Sequence, residues 1–117
     1  MSKKLVVKIL KSNNTVIGFD ISGHANFDEY GKDIVCAGVS SIAQTTINSL
    51  IKLAEIKNFK YQINEGHSYI IIDLKDVDNK VELLLESFQL GIKGIQNSYN
   101  KYIDIVKQEV DLNDQGI

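Results

Sequence analysis

Large apolar residues alternate with polar or small residues in several short stretches of the chain. This period of two predicts β-strands with one buried face. In the clearest stretch, every second position is held by Ile17, Phe19 and Ile21. Alternation, or a run rich in branched apolar residues, predicts five strands, at 4–11, 15–22, 59–64, 69–74 and 102–110.

Two longer segments carry apolar residues at helical spacing. The first is predicted to run from an N-cap at Asp33 to about Glu55, and the second from about Asn79 to Tyr99. The order strand, strand, helix, strand, strand, helix, strand predicts an α+β fold. Because two striped helices need one sheet face to cover, we expect a two-layer sandwich of a mixed or antiparallel sheet of about five strands with two helices on one face.

Length and composition predict one globular domain spanning residues 1–117. Apolar residues make up 44% of the chain and charged residues 24%, and the absence of proline argues against an extended linker. The apolar runs near the N-terminus are broken by Lys8 and Lys11, too early for a signal-peptide core. We expect no membrane-spanning segment elsewhere, and therefore a cytoplasmic location.

The charge pattern argues against direct nucleic-acid binding. The net charge is −2, and all 13 basic residues are lysines. Arginine supplies the planar fork that commonly reads phosphates and base edges, and here it is absent. The lysines are also scattered along the chain rather than clustered in a stripe.

The only cysteine, Cys36, and one of the two histidines, His24, lie on either side of a predicted loop at 23–32. With Asp33 as the helix cap, Cys36 takes the third helical position, where the positive end of the helix dipole favours a thiolate. If the loop folds back, the imidazole of His24 can take the thiol proton. The pattern therefore predicts an activated sulfur nucleophile.

Other residues of this stretch have candidate supporting roles. The backbone amides of Cys36 and Ala37 would form an oxyanion hole at the helix start. Asp33 caps the helix and could also orient His24, while Ser40 follows Cys36 by one turn and could hydrogen-bond near the site.

The loop itself is a candidate substrate-binding segment. It is bounded by Gly23 and Gly31, and its aromatic residues Phe27 and Tyr30 could close over a ligand. Alternatively, these two rings simply attach the loop to the core.

Each candidate also has a structural alternative. A lone cysteine in an apolar helix is commonly a packing residue, and His24 could be an ordinary exposed loop histidine. His67 lies in the predicted hairpin turn 64–67, with no nucleophile near it in sequence, and we interpret it as structural.

A metal site is a competing interpretation of the same stretch. Zinc usually takes closely spaced ligand pairs such as two cysteines, whereas only one thiol is available here, so we expect neither a metal nor a cofactor. The residues that such a site would use are His24, Cys36 and one or two of Asp28, Glu29 and Asp33.

An 18-residue motif resembles the signature of the ribosomal-processing cysteine protease Prp family. It reads Gly23-His24-Ala25, five residues, Gly31, one residue, then Asp33-Ile34-Val35-Cys36-Ala37-Gly38-Val39-Ser40. Length and element order of the whole chain also resemble that family.

The resemblance implies an endopeptidase that removes a short N-terminal extension from a large-subunit ribosomal protein. It assigns the nucleophile to Cys36 and the general base to His24. It further implies a homodimer, cleavage after aromatic residues at the end of the extension, and a mobile loop 23–32 that orders around substrate. The alternative is a non-enzymatic, ribosome-associated binding module in which Cys36 is a packing residue.

Overall fold

The predicted order of elements is confirmed in the computed structural model, which describes residues 4–23, 30–64 and 66–111, with the backbone alone at 30–33. The elements are β1 (Leu5–Ser12), β2 (Thr15–Ser22), α1 (Tyr30–Lys52), β3 (Phe59–Asn64), β4 (His67–Ile72), a single 3-10 turn (Leu74–Asp76), α2 (Asn79–Ser98) and β5 (Ile103–Glu109).

The five strands form one mixed sheet, as the sequence predicts. Its order is β3-β4-β2-β1-β5, which the hydrophobic pattern alone did not determine. The pairs β1–β2, β2–β4 and β3–β4 are antiparallel, whereas β5 returns after α2 and pairs parallel with β1. Consequently β3 and β5 are the two edge strands.

The core lies between one face of the sheet and the two helices, which confirms the two-layer sandwich. At its centre the rings of Phe19 on β2 and Phe88 on α2 stack with centroids 3.9 Å apart. The two helices approach each other closely at Gly91, where an added Cβ would come within 3.1 Å of Ile42. The fully buried α2 residues recur at the helical spacing that the sequence predicts and are Val81, Leu85, Phe88 and Ile92.

The segment Ile34–Lys52 of α1 is long and apolar enough to cross a membrane, with a mean hydropathy of 1.4. The expectation that no segment approaches such a span is wrong in this respect. The mean hydropathy of this helix is high because its exposed side carries polar residues without charge, while its opposite side packs into the core. The exposed residues are Ser40, Ser41, Gln44, Thr45 and Asn48, and the buried core residues are Val35, Val39, Ala43, Ile47 and Leu50.

Several predicted boundaries are wrong by two or three residues. α1 ends at Lys52 rather than near Glu55, because the amides of Leu53 and Ala54 both donate to the carbonyl of Ser49. Glu55 then takes a left-handed conformation, with φ +56°, and the chain leaves the helix.

The second hairpin differs locally from the prediction, whereas α2 (Asn79–Ser98) begins where the sequence predicts. β4 begins at His67, which therefore belongs to a strand rather than to the turn. The N-cap of α2 is Asp78, whose carboxylate accepts from the amide of Val81 at 3.0 Å.

The carboxylate of Asp76 joins the segment before α2 to the start of β3. It accepts the backbone amides of Asn58 at 2.6 Å and Lys57 at 3.1 Å. The hydrogen bond from the Asn58 amide is the main cause that lowers the pKa of Asp76 below its ordinary value of 3.8. The charged form is therefore favoured in the folded protein.

Replacing Asp76 with asparagine should lower the free energy of unfolding by about 1 kcal/mol at neutral pH, because charge-assisted hydrogen bonds are lost. The folded-state pKa is depressed, so this stability is fully present above the unfolded value. It is lost as pH falls below 3.8 through the folded value. Urea unfolding at a series of pH values should show the difference from wild type shrinking in that range.

Asp104→Asn is the matched control, since Asp104 forms an exposed ion pair with Lys4 at 3.3 Å. Such surface pairs contribute roughly 0–1 kcal/mol. If the Asp76→Asn difference stayed constant from neutral to strongly acidic pH, the assigned role of the carboxylate would be wrong.

Candidate active site

Cys36 lies in the second turn of α1, because the helix begins at Tyr30 and Cys36 is its seventh residue. The prediction that Asp33 caps the helix is therefore wrong, and Asp33 is the fourth helical residue. An acidic residue is favourable in the first turn of a helix as well as at the cap. An acidic residue at position 33 therefore fits both a helix cap and a first turn, and the sequence does not show which of the two it occupies.

The earlier helix start changes the assignment of the oxyanion donors. The unpaired amides of a helix are those of its first turn, here residues 30–33. The amides of Cys36 and Ala37 lie beyond this turn and take part in the helical hydrogen-bond ladder. The two amides are therefore not among the unpaired first-turn amides of α1, and their role as an oxyanion hole stays an untested prediction.

Cys36 is half-buried and lines a small cavity of about 50 Å³ at the end of β2. Three parts of the fold form its walls: the end of β2 with the start of β1, the second and third turns of α1, and the β3–β4 hairpin. The lining residues, in that order, are Leu5, Ile21 and Gly23; Cys36, Val39 and Ser40; and Asn64, Gly66, His67 and Ser68.

Gly23 closes one side of this cavity through its backbone. Its φ is +142°, a conformation that favours glycine, and an added Cβ would come within 3.0 Å of Leu5. The Gly23 amide donates to the carbonyl of Gly66 at 3.2 Å, which joins the end of β2 to the hairpin turn. The wall opposite α1 is thus held by the backbone.

Ser40 follows Cys36 by one helical turn, is exposed, and lines the same cavity. The structure therefore brings together three of the residues predicted from the sequence, namely Gly23, Cys36 and Ser40. Ala37 is exposed and does not line this cavity.

His67 also lines the cavity, although the sequence predicts only a structural role for it. Its Nε2 lies 3.1 and 3.2 Å from the two carboxylate oxygens of Asp20. His67 pairs with Ser22, the last residue of β2, because β4 lies next to β2 in the sheet. The signal that could have found it is this strand pairing, which a local pattern does not reveal.

The remaining predicted site residues lie outside the described part of the structure. These are His24 and Phe27, together with the side chains of Tyr30 and Asp33, so the pairing of Cys36 with His24 stays a prediction. Among residues 4–23, 30–64 and 66–111, no three His, Cys, Asp or Glu side chains form a group that could hold a metal ion. The alternative metal ligands Asp28 and Glu29 also lie outside the described residues.

Comparison with known proteins agrees with the motif. The family model described as cysteine protease Prp matches residues 5–104. The ribosomal processing cysteine protease Prp of Staphylococcus aureus is 34% identical over 87 residues, which cover 71% of this chain and 78% of the relative.

Two crystal structures of the S. aureus protease Prp share the fold. The complex with a substrate peptide has a TM-score of 0.76 and 26% identity, and the complex with a covalently linked product peptide has a TM-score of 0.74 and 28% identity. In both cases 89% of this chain and 99% of the other chain are covered. With its motif, its fold and these matches, the chain belongs to the Prp family of cysteine proteases.

Proposed function

We propose that this chain is the endopeptidase that removes the N-terminal extension of a large-subunit ribosomal protein, through a dyad of Cys36 and His24. The observation that carries the proposal is the position of Cys36, half-buried in the wall of a cavity at one end of the sheet. A related protease of the same fold forms complexes with a substrate peptide and with a covalently linked product peptide, which supports this assignment.

The mechanism is acyl transfer. His24 takes the proton of Cys36, and the thiolate attacks the carbonyl carbon of the scissile bond. The tetrahedral intermediate collapses as the C–N bond breaks, and His24 gives the proton to the leaving amine. Water then attacks the thioester while His24 accepts its proton. The acid is released and the thiol restored.

The helix start stabilises the oxyanion of the intermediate. The first-turn amides at residues 30–33 have no partner within the helix, and the positive end of the dipole lies there. In this proposal Asp33 steers the imidazole, and Ser40, which shares the cavity with Cys36, hydrogen-bonds near the reacting groups. Phe27 and Tyr30 contact an aromatic side chain of the substrate.

We also propose a cytoplasmic homodimer that binds neither nucleic acid nor membrane directly. The cytoplasm is where a bacterial ribosomal protein is made, so enzyme and substrate would meet there. The scattered lysines and the absence of arginine support recognition of the protein extension rather than of ribosomal RNA.

The experiment is incubation of the purified chain with the ribosomal proteins of its host, followed by intact-protein mass spectrometry. We expect one large-subunit protein to become shorter at its N-terminus, and the released peptide to end in an aromatic residue. The control is chain whose cysteine has been alkylated beforehand. It should leave the mass of every ribosomal protein unchanged. If the active, folded chain shortens no ribosomal protein, the proposed substrate is wrong.

A further inference from the structure

The two edge strands of the sheet differ in how well they are protected against pairing with a further strand. Exposed edges commonly carry charges that prevent pairing with another strand. β5 follows this rule, since three of its seven residues are Asp104, Lys107 and Glu109. In β3, Lys60 is the one charged residue among six, and Tyr61 and Ile63 are 50% and 38% exposed.

The backbone amide and carbonyl groups of β3 that point away from β4 include those of the same two exposed residues. Asn64 pairs with His67 across a connection of two residues, and such a tight turn makes its flanking residues a hydrogen-bonded pair. Hydrogen-bonded positions alternate along an antiparallel strand. The amide and carbonyl groups of Tyr61 and Ile63 therefore point away from β4, toward the free edge.

The side chains of Phe59, Tyr61 and Ile63 form an apolar strip on one face of β3, here called the β3 strip. The rings of Phe59 and Tyr61 lie 5.9 Å apart between centroids. Their strand partners Ile72 and Ile70 are fully buried, so the strip lies on the face of the sheet that the helices cover. Lys60 points to the opposite face, because side chains alternate along a strand.

The β3 strip leads directly into the cavity of Cys36. Ile63 pairs with Ser68, and Asn64 follows Ile63 at the end of the strand. Both Ser68 and Asn64 line the cavity together with Cys36. The β3 strip therefore ends beside residues that line the same cavity as the thiol.

We infer that the outer edge of β3 binds the substrate as an added strand, with the β3 strip contacting every second side chain of an uncharged, apolar stretch beside the scissile bond. The inference rests on the proposed function. Backbone hydrogen bonds to an edge strand give affinity, and alternate side chains give specificity. β3 has six residues, and at about 3.3 Å per residue it spans roughly 20 Å, enough for about six residues of peptide.

An apolar peptide fits this edge better than a charged partner does. The exposed side chains of the strip are an aromatic and a branched aliphatic residue, and the charge of Lys60 lies on the other face. Apolar residues at alternate positions of an extended peptide would remove the remaining exposed area of Tyr61 and Ile63 from water.

The test compares the double variant Tyr61→Ser/Ile63→Ser with wild type on two peptides. The long peptide spans the whole extension and the cleavage site, and the short one spans two residues on each side of the scissile bond. For the long peptide we expect kcat/KM to fall about 10-fold, mainly through a higher KM, because apolar contacts are lost. For the short peptide kcat/KM should not change.

The matched control is Leu83→Ser/Leu90→Ser on α2. These leucines are 67% and 75% exposed, do not line the cavity of Cys36, and should leave both peptides unaffected. A second variant, Ile63→Pro, removes one outward amide without touching the ladder to β4, since proline is tolerated at such edge positions. It should also weaken cleavage of the long peptide selectively.

Binding separates this inference from the proposed function. Fluorescence anisotropy of the labelled long peptide on the inactive Cys36→Ala chain should show weaker binding when the Tyr61→Ser/Ile63→Ser changes are added. If wild type cleaves no peptide but this difference in binding is present, the proposed function is wrong and the docking edge stands. Equal binding with and without the β3 strip would overturn the inference.

Two further outcomes would also overturn it. Equal losses on the long and short peptides would mean that the β3 strip supports the cavity rather than docking substrate. Conversion of a dimer into a monomer by Tyr61→Ser/Ile63→Ser, measured by light scattering, would mean that a second copy of the chain occupies the edge.

Discussion

Replacing Cys36 with serine should abolish cleavage of the extension and lower kcat/KM by about 10⁴-fold or more, since loss of a nucleophile removes covalent catalysis. A serine hydroxyl has nearly the same shape but is far less acidic than a thiol, so a neighbouring imidazole does not activate it to the same extent. The side chain is only half-buried, and the fold should tolerate the change. Cleavage is measured by mass spectrometry of the long peptide.

Two controls distinguish catalysis from packing. The circular dichroism spectrum and urea midpoint of Cys36→Ser should match those of wild type, because the replacement is nearly isosteric. In the native wild type, iodoacetamide should alkylate Cys36 well below about pH 8.5, the ordinary pKa of a thiol, and more slowly after His24→Ala. Alkylation only upon unfolding, or substantial cleavage by Cys36→Ser, would identify the cysteine as a packing residue.

Replacing Phe88 with alanine should cost about 3–5 kcal/mol of unfolding free energy, the largest stability change expected for this fold. The ring is 1% exposed and lies almost parallel to Phe19, with an interplanar angle of 9°. Its removal leaves a cavity between α2 and β2 that their backbones cannot close without breaking other contacts. Urea unfolding followed by circular dichroism measures the change.

Leu83→Ala is the matched control on the same helix, because Leu83 is exposed and outside the core cluster. We expect it to change stability by less than about 0.5 kcal/mol. Suppose that Phe88→Ala lowered the free energy of unfolding by less than about 1 kcal/mol and left the slope of this free energy against urea concentration unchanged. The aromatic stack would then not be central to the core.

The elements that the sequence predicted best are those in which one face is buried along the whole length. In β2 the alternation of Ile17, Phe19 and Ile21 corresponds directly to three buried side chains. In α2 the stripe that begins at Val81 is buried in the same way. Burial on one face imposes a period on the sequence, and the period can be recognised without coordinates.

The features that the sequence missed depend on other parts of the chain. The sequence predicts an N-cap at Asp33 although α1 begins at Tyr30, because one acidic residue fits a cap and a first turn equally well. Strand order depends on pairing between distant segments, such as Leu5 with Ile103, and no local period encodes it.

The candidate site likewise contains residues that a local pattern predicts and a residue that only strand pairing brings there. The motif predicted that Cys36 and Ser40 share a site, because residues four apart lie on one side of a helix. The sequence predicts a structural role for His67, because it lies in a predicted hairpin turn without a candidate nucleophile near it. It reaches the cavity only through the pairing of β4 with β2.

The parallel pairing of β1 with β5 has a consequence for synthesis on the ribosome. Leu5 is made first, yet its partner Ile103 is made almost a hundred residues later. Because β1 gains its second neighbour last, the growing chain carries an incomplete sheet until β5 has emerged. Contacts so distant in sequence slow folding, and β1 is meanwhile available to wrong partners. We therefore expect the nascent chain to become resistant to proteases only after residue 109 has left the exit tunnel.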